Sequence, residues 1–428
     1  MITSSAFSGK HYAVYGLARS GLATVEALLG SGAKVTAWDS REEARASAPP
    51  DVKIVDLDSA DLAHFDSLVV TPGLPLNRHP IAQRARDAGV EIIGDIELFA
   101  RARPDLPPHK VVGITGTNGK STTTALVHHI LKTAGVPSAM GGNIGLPILA
   151  QDPLPEGGVY VLELSSYQLD LTQSLDCDVA VLLNVTPDHL DRYEGFDAYR
   201  YTKLRLFEMQ RPSESNHAAV IGEYLPAERG GLHALVPDTT LLFALDYRDR
   251  QPNWLALQGP HNHQNAACAI AVGEVLGIDE DVVEQSLRTY PGLRHRMERI
   301  CEKSGVLFVN DSKATNPTAT APALAAFESI RWILGGQAKS DDLDECAPHF
   351  DNVRSAYTIG EAAELFGRLL KPHMSVKNCG KLDEAVRQAA HDAQSGDTVL
   401  LSPACASFDQ FRDFEDRGDQ FRELVGAL

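Results

Sequence analysis

The stretch GITGTNGKST, residues 113–122, decides how the middle of this 428-residue chain is interpreted. It begins inside the apolar run VVGIT and leads into TTTALVHHIL, whose apolar spacing predicts a helix. A glycine-rich turn between a strand and a helix directs backbone N–H groups toward an anion. The common pattern GxxxxGK[ST] requires glycine at Ile114, whereas Gly113 and Gly116 lie on either side of that position. The stretch therefore predicts a variant phosphate-binding loop, with a plain glycine-rich turn as the alternative.

Two side chains of this loop have the chemistry that a nucleoside triphosphate requires. The Lys120 ammonium is placed to reach the β- and γ-phosphates, and the Ser121 hydroxyl is placed to bind Mg²⁺. The sequence therefore predicts an ATP site. The other loop residues assigned to this site are Gly116, Thr117, Asn118, Gly119 and Thr122.

Composition limits the class of protein. Hydrophobic residues make up 43% and charged residues 22% of the chain, which are ordinary values for a soluble globular protein. No apolar run approaches the roughly 20 residues of a membrane span, and the N-terminal MITSSAFSGK lacks the apolar core of a signal peptide. The formal net charge of -18 argues against nucleic-acid binding. The six cysteines form no CxxC pair. Together with the missing apolar segments, they lead us to expect a cytoplasmic protein with reduced thiols and no membrane insertion.

Two proline-bearing joints, at 102–110 and 289–296, divide the chain into three blocks. In each block, apolar runs of strand length alternate with helical patterns, which predicts a mostly parallel sheet with helices on both faces. We therefore expect an α/β protein of three domains. Rossmann-like domains are predicted at 1–102 and 294–428, and a P-loop ATPase-type domain at 103–293. The predicted strands include HYAVYGL, KVTAWD, SLVVTPG, EIIGD, VVGITG, VYVLEL, VAVLLNV, VLFVND, RWILGG, SAYTIG and DTVLLS.

Further motifs extend the phosphate loop into a resemblance that covers the whole chain. They are GNIG (142–145), ELSSYQL (163–169), TPDHLDRY (186–193), YTKLRLF (201–207), GPHNHQN (259–265), HRME (295–298), DSKATNP (311–317), GGQAKS (335–340) and LSPACASFDQF (401–411). With the loop pattern GxxGxxGKS, these motifs make the chain resemble the Mur ligases and their folylpolyglutamate synthase relatives.

The resemblance implies a cytoplasmic step of peptidoglycan synthesis. In the family, ATP phosphorylates a carboxylate of the precursor, an amino-acid amine attacks the acyl phosphate, and a tetrahedral intermediate expels phosphate. DSKATN and SPACAS look like the motifs of the D-glutamate-adding branch, which implies UDP-N-acetylmuramoyl-L-alanine and D-glutamate as substrates. We expect a monomer. The alternatives are an L-glutamate-adding or other Mur ligase, a folylpolyglutamate synthase, and a nucleotide-binding protein without catalysis.

Three residues outside the loop are predicted to take part in metal binding. Glu163 ends the strand VYVLEL, and the matching glutamate of the family binds Mg²⁺; a strand-end carboxylate near a helix N-cap is the alternative. The histidine matching His189 binds a second Mg²⁺, although the local pattern also fits an exposed helix residue. The lysine matching Lys203 is carbamylated by CO₂ and supports the second metal. Carbamylation requires a neutral, buried amine, whereas the alternative is a solvated helix lysine.

The N-terminal stretch YGLARSG follows a strand, opens a helix and precedes Asp39 by about 20 residues, as in dinucleotide-binding folds. A dehydrogenase would need glycine at Ala18, so that fingerprint is incomplete. In the resembling ligases the matching residues bind the UDP moiety, with a strand-end cap at Asp39 and a solvated Arg41 as alternatives. The residues assigned to UDP in this way are Leu17, Ala18, Arg19, Asp39, Arg41, Thr71 and Gly73.

Four amide side chains receive roles through the same resemblance. Asn143 and Gln168 would hold the sugar-peptide arm near the γ-phosphate, and either residue could instead cap a loop. Asn262 and Asn265 would contact the adenine side of ATP, and capping of the following helix is the alternative.

The third block supplies the remaining predicted contacts. Arg296, Asp311 and Lys313 are expected to meet ATP, and Lys313 completes a predicted catalytic set with Lys120, His189 and Lys203. D-Glutamate is assigned to Thr315, Lys339, Ser407, Phe408 and Phe414. Phe408 departs from the smaller aliphatic residue expected there, and Lys339 taken alone fits a solvated surface lysine. Cys405 has no histidine near it in its motif, so we predict a buried thiol rather than a nucleophile.

Overall fold

The strands coincide with apolar runs because most of them are covered on both faces of a sheet. The computed structural model describes residues 1–188, 191–211, 217–222 and 240–428. Its strands are β1 (His11–Tyr15), β2 (Lys34–Trp38), β3 (Lys53–Ile54), β4 (Ser67–Val70), β5 (Glu91–Ile93), β6 (His109–Thr115), β7 (Ser138–Gly142), β8 (Gly158–Glu163), β9 (Val179–Leu182), β10 (Ala218–Ile221), β11 (Thr240–Phe243), β12 (Glu298–Lys303), β13 (Val306–Asn310), β14 (Ile330–Gly335), β15 (Val353–Ile359), β16 (Ser375–Gly380) and β17 (Thr398–Leu401).

Helices lie between most consecutive strands, as the alternating pattern predicted. They are α1 (Arg19–Gly30), α2 (Glu42–Ala46), α3 (Pro80–Asp87), α4 (Asp95–Ala102), α5 (Lys120–Thr133), α6 (Ser166–Asp170), α7 (Phe196–Glu208), α8 (Pro260–Val275), α9 (Glu280–Thr289), α10 (Pro317–Ala325), α11 (Ala363–Leu370), α12 (Leu382–Asp392) and α13 (Phe414–Ala427). No helix in the described part of the chain is long and apolar enough to cross a membrane.

The described strands form three sheets. The first has the order β3-β2-β1-β4-β5 and the second the order β11-β10-β9-β6-β8-β7, and both are parallel. The third has the order β12-β13-β17-β14-β15-β16 and is parallel except for the antiparallel pair β12 and β13. The predicted α/β fold with one sheet in each block is therefore confirmed.

The chain divides into two compact units. The first unit comprises Met1–Arg250 and Pro260–Leu287, and it contains the first two sheets. The second unit comprises Gln251–Gly259 and Arg288–Leu428, and it contains the third sheet. The predicted domain limits at 102 and 293 stay a prediction.

A continuous hydrophobic cluster connects the first two sheets and explains why they form one unit. Phe99 of α4 and Tyr160 of β8 are both fully buried in this cluster, and their rings meet edge to face at 5.1 Å between centroids. Edge-to-face aromatic pairs stabilise a core by about 0.5–1.5 kcal/mol beyond their burial. The first two sheets therefore belong to one packed body.

Candidate active site

The loop between β6 and α5 has the backbone of a phosphate-binding turn. Gly119 is the N-cap of α5 with φ 86°, and a Cβ there would lie 2.1 Å from Oδ1 of Asn265. Gly113, the glycine in the unexpected position, lies inside β6, where a Cβ would approach Cys177 Sγ to 2.7 Å. Gly113 is therefore required for packing of the strand, whereas Gly119 is required for the turn itself.

Asn184, which the sequence analysis did not single out, holds this loop in place. Its Oδ1 accepts a 2.9 Å hydrogen bond from the Asn118 amide, and its carbonyl accepts one from Thr117 at 2.9 Å. Its Nδ2 donates to the Asn118 carbonyl at 3.2 Å and to Gln264 Oε1 at 3.0 Å. Its position in the sequence could have revealed it, because Asn184 follows β9, and β9 pairs with β6, the strand that leads into the loop.

Lys120 and Lys203 converge on one backbone carbonyl. Each donates from Nζ to the Gly116 carbonyl at 2.9 Å, and Lys120 also donates to the Thr117 carbonyl at 2.8 Å. Lys203 is 1% exposed, so its alternative assignment as a solvated lysine is wrong. Burial, reinforced by the Lys120 charge, lowers the pKa of Lys203 to about 7. A large fraction of this amine is therefore neutral near neutral pH, as carbamylation requires.

The Tyr199 ring packs beside Lys203. It lies one turn before Lys203 on α7, and Lys203 Nζ stands 4.6 Å from its ring centroid. Its hydroxyl is 3.1 Å from Thr117 Oγ1, and that Thr117 oxygen also accepts the Thr186 amide at 3.0 Å. The phosphate loop, α7 and the segment after β9 are thereby held together.

Glu163 provides the carboxylate expected near the phosphates. It ends β8 with 2% exposure, and its Oε1 accepts a 3.0 Å hydrogen bond from Asn143 Nδ2. Its Oε2 is buried and has no hydrogen-bond partner among the described residues. A buried carboxylate oxygen left unpaired is costly, and it suits a hard cation such as Mg²⁺. Ser121 is also buried, in the first turn of α5.

The rest of the predicted metal set is described only in part. His189 lies outside the described residues. Within the described ranges, no group of three or more His, Cys, Asp or Glu side chains is arranged to hold a metal ion. The assignment of His189 and of a carbamylated Lys203 to a second Mg²⁺ therefore stays a prediction.

The predicted UDP residues come together at the end of β1. Asp39 is buried and accepts hydrogen bonds from the Leu17 amide at 2.8 Å and the Arg41 amide at 2.9 Å. Arg41 Nε also lies 3.2 Å from Asp39 Oδ1. Burial acts to raise the pKa of Asp39, but these hydrogen bonds outweigh it and the pKa is lowered. Asp39 therefore has the structural role foreseen as its alternative, and binding of uridine there stays a prediction.

The N-terminus of α1 has no side-chain cap. Ala18 is the N-cap of this helix and provides no side-chain cap, and Arg19 donates from Nη2 to the Gly145 carbonyl at 3.1 Å. A Cβ on Gly16, which has φ 100°, would lie 2.4 Å from Thr71 Oγ1. Gly73, two residues after Thr71, is exposed. The β1 turn, the β4 turn and the GNIG motif thus share one end of the first unit.

The predicted amide contacts have distinct surroundings. Gln168 forms a capping box with Ser165, because its Oε1 accepts the Ser165 amide at 3.1 Å and Ser165 Oγ accepts the Gln168 amide at 3.2 Å. Asn262 and Asn265 lie inside α8, so neither is its N-cap, and Asn265 Nδ2 donates to Asn262 Oδ1 at 3.1 Å. Asn265 adjoins Gly119 of the loop before α5, and contact of either asparagine with adenine stays a prediction.

An open pocket of about 420 Å³ lies beside this pair. It is formed by residues after β10 and β11 and by the first turns of α8, which include Gln264, the partner of Asn184. The other lining residues are Gly222, Ala244, Leu245, Asp246, Arg248, Pro260, His263 and Ala267. The pocket thus lies at the carboxyl edge of the second sheet.

In the second unit, Asp311 is a buried acid at the end of β13. Its Oδ2 accepts from Ser402 Oγ at 2.7 Å, and its Oδ1 accepts the Met297 amide at 3.1 Å. Burial raises its pKa to about 7 despite these hydrogen bonds. The neighbouring turn is strained, because His295 and Met297, on either side of Arg296, have φ 61° and 48°. Strain of this kind is common where a side chain is held for function.

The residues assigned to D-glutamate lie in loops that Arg417 joins. Arg417 is fully buried on α13 and donates from Nη2 to the carbonyls of Ser312 at 2.8 Å and Cys405 at 3.1 Å. It therefore connects the DSKATN and SPACAS motifs, which the sequence analysis did not foresee. Cys405 is buried, as predicted.

The assigned side chains in these loops differ in exposure. Lys339 Nζ lies 3.5 Å from Thr315 Oγ1, and Lys313 Nζ stands 5.8 Å from the Phe414 ring centroid. Ser407 is buried, whereas Phe408 is 70% exposed. Their contacts with an amino acid stay a prediction.

Three family models match consecutive parts of the chain. They are described as Mur ligase MurD-like, N-terminal domain (residues 10–94), Mur ligase middle domain (residues 114–226) and Mur ligase, glutamate ligase domain (residues 295–405). Among solved structures, MurC from Thermotoga maritima aligns with a TM-score of 0.58 and 16% identity, over 98% of this chain and 99% of that one. MurF from the same organism aligns with a TM-score of 0.56 and 17% identity, over 99% and 97%. These two structures show a shared fold.

Curated relatives are similar over the full length. The UDP-N-acetylmuramoylalanine--D-glutamate ligase of Novosphingobium aromaticivorans is 60% identical over 100% of this chain and 97% of its own. The protein of the same name from Zymomonas mobilis is 54% identical over 100% of both chains. Identity at this level over the whole chain leaves one conclusion: this chain belongs to the Mur ligase family, within which it is similar to the D-glutamate ligases.

Proposed function

We propose that the protein ligates D-glutamate to UDP-N-acetylmuramoyl-L-alanine at the expense of ATP, in cytoplasmic peptidoglycan precursor synthesis. The observation that carries the proposal is the convergence of Lys120 and the buried Lys203 on the Gly116 carbonyl of the phosphate loop. A plain glycine-rich turn has no need for two lysine side chains at one carbonyl, one of them buried. The names of relatives at 54–60% identity support the choice of substrates.

In the first step, a carboxylate oxygen of the substrate alanine forms a bond to the γ-phosphorus of ATP, and the bond to ADP breaks. The α5 N-terminus and the loop amides hold the phosphates, and Lys120 turns from the backbone carbonyls to neutralise their charge. Ser121 and Glu163 would hold one Mg²⁺, consistent with the unpaired Oε2 of Glu163. When bound, Mg²⁺ supplies positive charge that draws electron density from the γ-phosphate.

Lys203 is proposed to act as a carbamate rather than as an ammonium. Its pKa of about 7 makes the neutral amine available to CO₂. The addition forms an N–C bond and releases one proton to solvent, and the resulting carbamate anion would serve with His189 at a second Mg²⁺. Carbamylation also removes a positive charge that otherwise repels Lys120. The product anion therefore suits its surroundings better than the ammonium does.

In the second step, the amine of D-glutamate attacks the acyl carbon, a tetrahedral intermediate forms, and phosphate leaves as the amide is made. Thr315, Lys339, Ser407, Phe408 and Phe414 are the proposed amino-acid contacts. Lys339 would pair with a carboxylate of D-glutamate. Arg417 stabilises two of these loops through its hydrogen bonds to Ser312 and Cys405.

Further assignments complete the proposal. Residues 1–102 bind UDP through Leu17, Ala18, Arg19, Asp39, Arg41, Thr71 and Gly73, with Asn143 and Gln168 along the sugar-peptide arm. Residues 103–293 bind ATP, with the base near Asn262 and Asn265 and the 420 Å³ pocket beside them. Residues 294–428 bind the amino acid, and Arg296, Asp311 and Lys313 are proposed ATP contacts. The working form is a monomer.

The test is phosphate release from ATP in the presence of Mg²⁺ and UDP-N-acetylmuramoyl-L-alanine. D-Glutamate, L-glutamate, glycine and meso-diaminopimelate are compared, and product mass is measured. Release and ligation with D-glutamate alone are expected. Selective use of L-glutamate would keep the mechanism and change the substrate, whereas phosphate release that ignores the acceptor would refute ligation.

A further inference from the structure

A compact turn follows the predicted UDP-binding residues of β4. The Thr71 amide donates to the Tyr15 carbonyl, and the Leu74 amide returns to the Thr71 carbonyl at 3.0 Å. At the other end, the amides of Arg78 and His79 both donate to the Pro75 carbonyl at 2.9 Å, and the His79 side chain caps α3. Residues 71–79 are therefore fixed at both ends, by β1 and by α3.

This turn reaches across to the second sheet's loop at residues 191–192. Asn77 Nδ2 and Arg78 Nη2 each donate to the Asp191 carbonyl at 3.0 Å. In the opposite direction, Arg192 Nη2 donates to the Leu74 carbonyl at 2.9 Å. Three hydrogen bonds, two of them converging on one carbonyl, thus connect the two loops. We call residues 74–78 together with Asp191 and Arg192 the interdomain clamp.

The clamp is continuous with the predicted phosphate site. The Arg192 guanidinium lies over the Tyr167 ring, 4.2 Å from its centroid, and Tyr167 belongs to α6, which begins three residues after Glu163. Tyr193 adds a 2.8 Å hydrogen bond from its hydroxyl to Asp170 at the end of α6. In sequence, Asp191 and Arg192 come two and three residues after His189. The clamp therefore holds residues 191–193, which precede α7 in the sequence.

We infer that the interdomain clamp couples the two substrate sites: UDP-N-acetylmuramoyl-L-alanine bound at Thr71 and Gly73 tightens binding of the Mg²⁺–nucleotide at the phosphate loop. Asn77 and Arg78 are positioning residues in this scheme, because they act through Asp191. The inference rests on the proposed function, since it takes the substrate positions from it.

The proposed coupling is positive, because a ligand at Thr71 and Gly73 would restrict the turn beyond what its hydrogen bonds to β1 and α3 already do. A ligand that orders the turn at Thr71 and Gly73 restricts Leu74, Asn77 and Arg78, which in turn restrict residues 191–192. A nucleotide that binds next then loses less conformational freedom, and it binds more tightly. Thermodynamic reciprocity requires the nucleotide to tighten binding of the UDP substrate by the same factor.

The experiment measures the dissociation constant of AMP-PNP with Mg²⁺, with and without saturating UDP-N-acetylmuramoyl-L-alanine, by calorimetry on the full chain. We expect the wild-type protein to bind AMP-PNP at least about fivefold more tightly with the UDP substrate present, the lower end of typical allosteric coupling. We call the ratio of the dissociation constants without and with the UDP substrate the coupling factor. In the double variant Asn77→Ala, Arg78→Ala the coupling factor should fall close to one. Affinity for AMP-PNP alone should remain within about twofold, because both side chains are exposed and outside the nucleotide site.

Arg86→Ala is the matched control, because Arg86 is an exposed arginine of the neighbouring α3 whose guanidinium, among the described residues, bonds within that helix, to Gln83. Arg86→Ala should keep the wild-type coupling factor. Arg78→Lys retains one hydrogen-bond donor and should keep part of the coupling. A factor near one in the wild type, or an unchanged factor in the double variant, overturns the coupling. Phosphate release with D-glutamate is measured on the same samples. Its absence from the wild type would refute the proposed function itself, whereas a normal rate without coupling would refute the clamp alone.

Discussion

The substitution Gly119→Ala tests the conformation of the phosphate loop. Gly119 has φ 86°, a left-handed conformation that costs a residue with a Cβ about 1–2 kcal/mol. The new methyl would also lie 2.1 Å from Asn265 Oδ1, so Asn265 must move. Breaking its buried hydrogen bond to Asn262 adds about 1–3 kcal/mol. We therefore expect a total loss of about 2–5 kcal/mol in the free energy of unfolding, together with loss of nucleotide binding.

Gly135→Ala provides a control at the other end of the same helix. Gly135 has φ 73°, close to that of Gly119, but a Cβ there meets nothing within 4 Å. It should lose only the conformational part, about 1–2 kcal/mol, and should bind nucleotide normally. Urea unfolding gives the two stability changes, and calorimetry with AMP-PNP and Mg²⁺ gives the affinities. Equal losses of stability, or unchanged affinity in Gly119→Ala, would refute the close contact between this loop and Asn265.

Three other substitutions test individual side chains. Lys203→Ala should abolish turnover, and a short-chain carboxylic acid should restore part of it by replacing the carbamate; full activity without added acid would contradict this role. Glu163→Gln should fold normally but require much more Mg²⁺ for half-maximal phosphate release, and an unchanged Mg²⁺ requirement would exclude Glu163 as a ligand. Burial raises the pKa of Asp95 to about 6 from 3.8, so this acid makes folding less favourable as pH rises from about 4 to 6. Asp95→Asn should remove this pH dependence of the free energy of unfolding. The effect is at most about 3 kcal/mol, at about 1.4 kcal/mol per pKa unit. Parallel curves of stability against pH for the two proteins would refute this role of Asp95.

The three sheets were predictable because buried parallel strands are apolar almost throughout. VVGIT, VYVLEL and VAVLLNV all predicted central strands, which form β6, β8 and β9. Strands at or near the sheet edges were missed, among them β3, β7 and β16. β3 has only two residues, and β16 is partly exposed along its length. Such strands carry too few buried apolar residues to stand out from a loop.

From the residues alone, the candidate site was predictable only where its side chains lie within one short motif. Lys120 and Ser121 follow from the loop pattern itself, since the strand, turn and helix are adjacent in sequence. Asn184 was missed because an asparagine after a strand is common, and its partner Asn118 lies 66 residues away. Arg417 was missed for the same reason, because the carbonyl of Ser312 that it binds is 105 residues away.

The sequence by itself determined the α/β alternation, the phosphate loop and the family resemblance, since each depends on neighbouring residues or on whole motifs. Only the tertiary structure decided that Lys203 is a buried amine rather than a solvated one. Its Nζ meets the Gly116 carbonyl across 87 residues of chain, and its lowered pKa comes from that burial and from Lys120. Desolvation and charge repulsion depend on which groups the fold brings together, so no pattern local to α7 could reveal them.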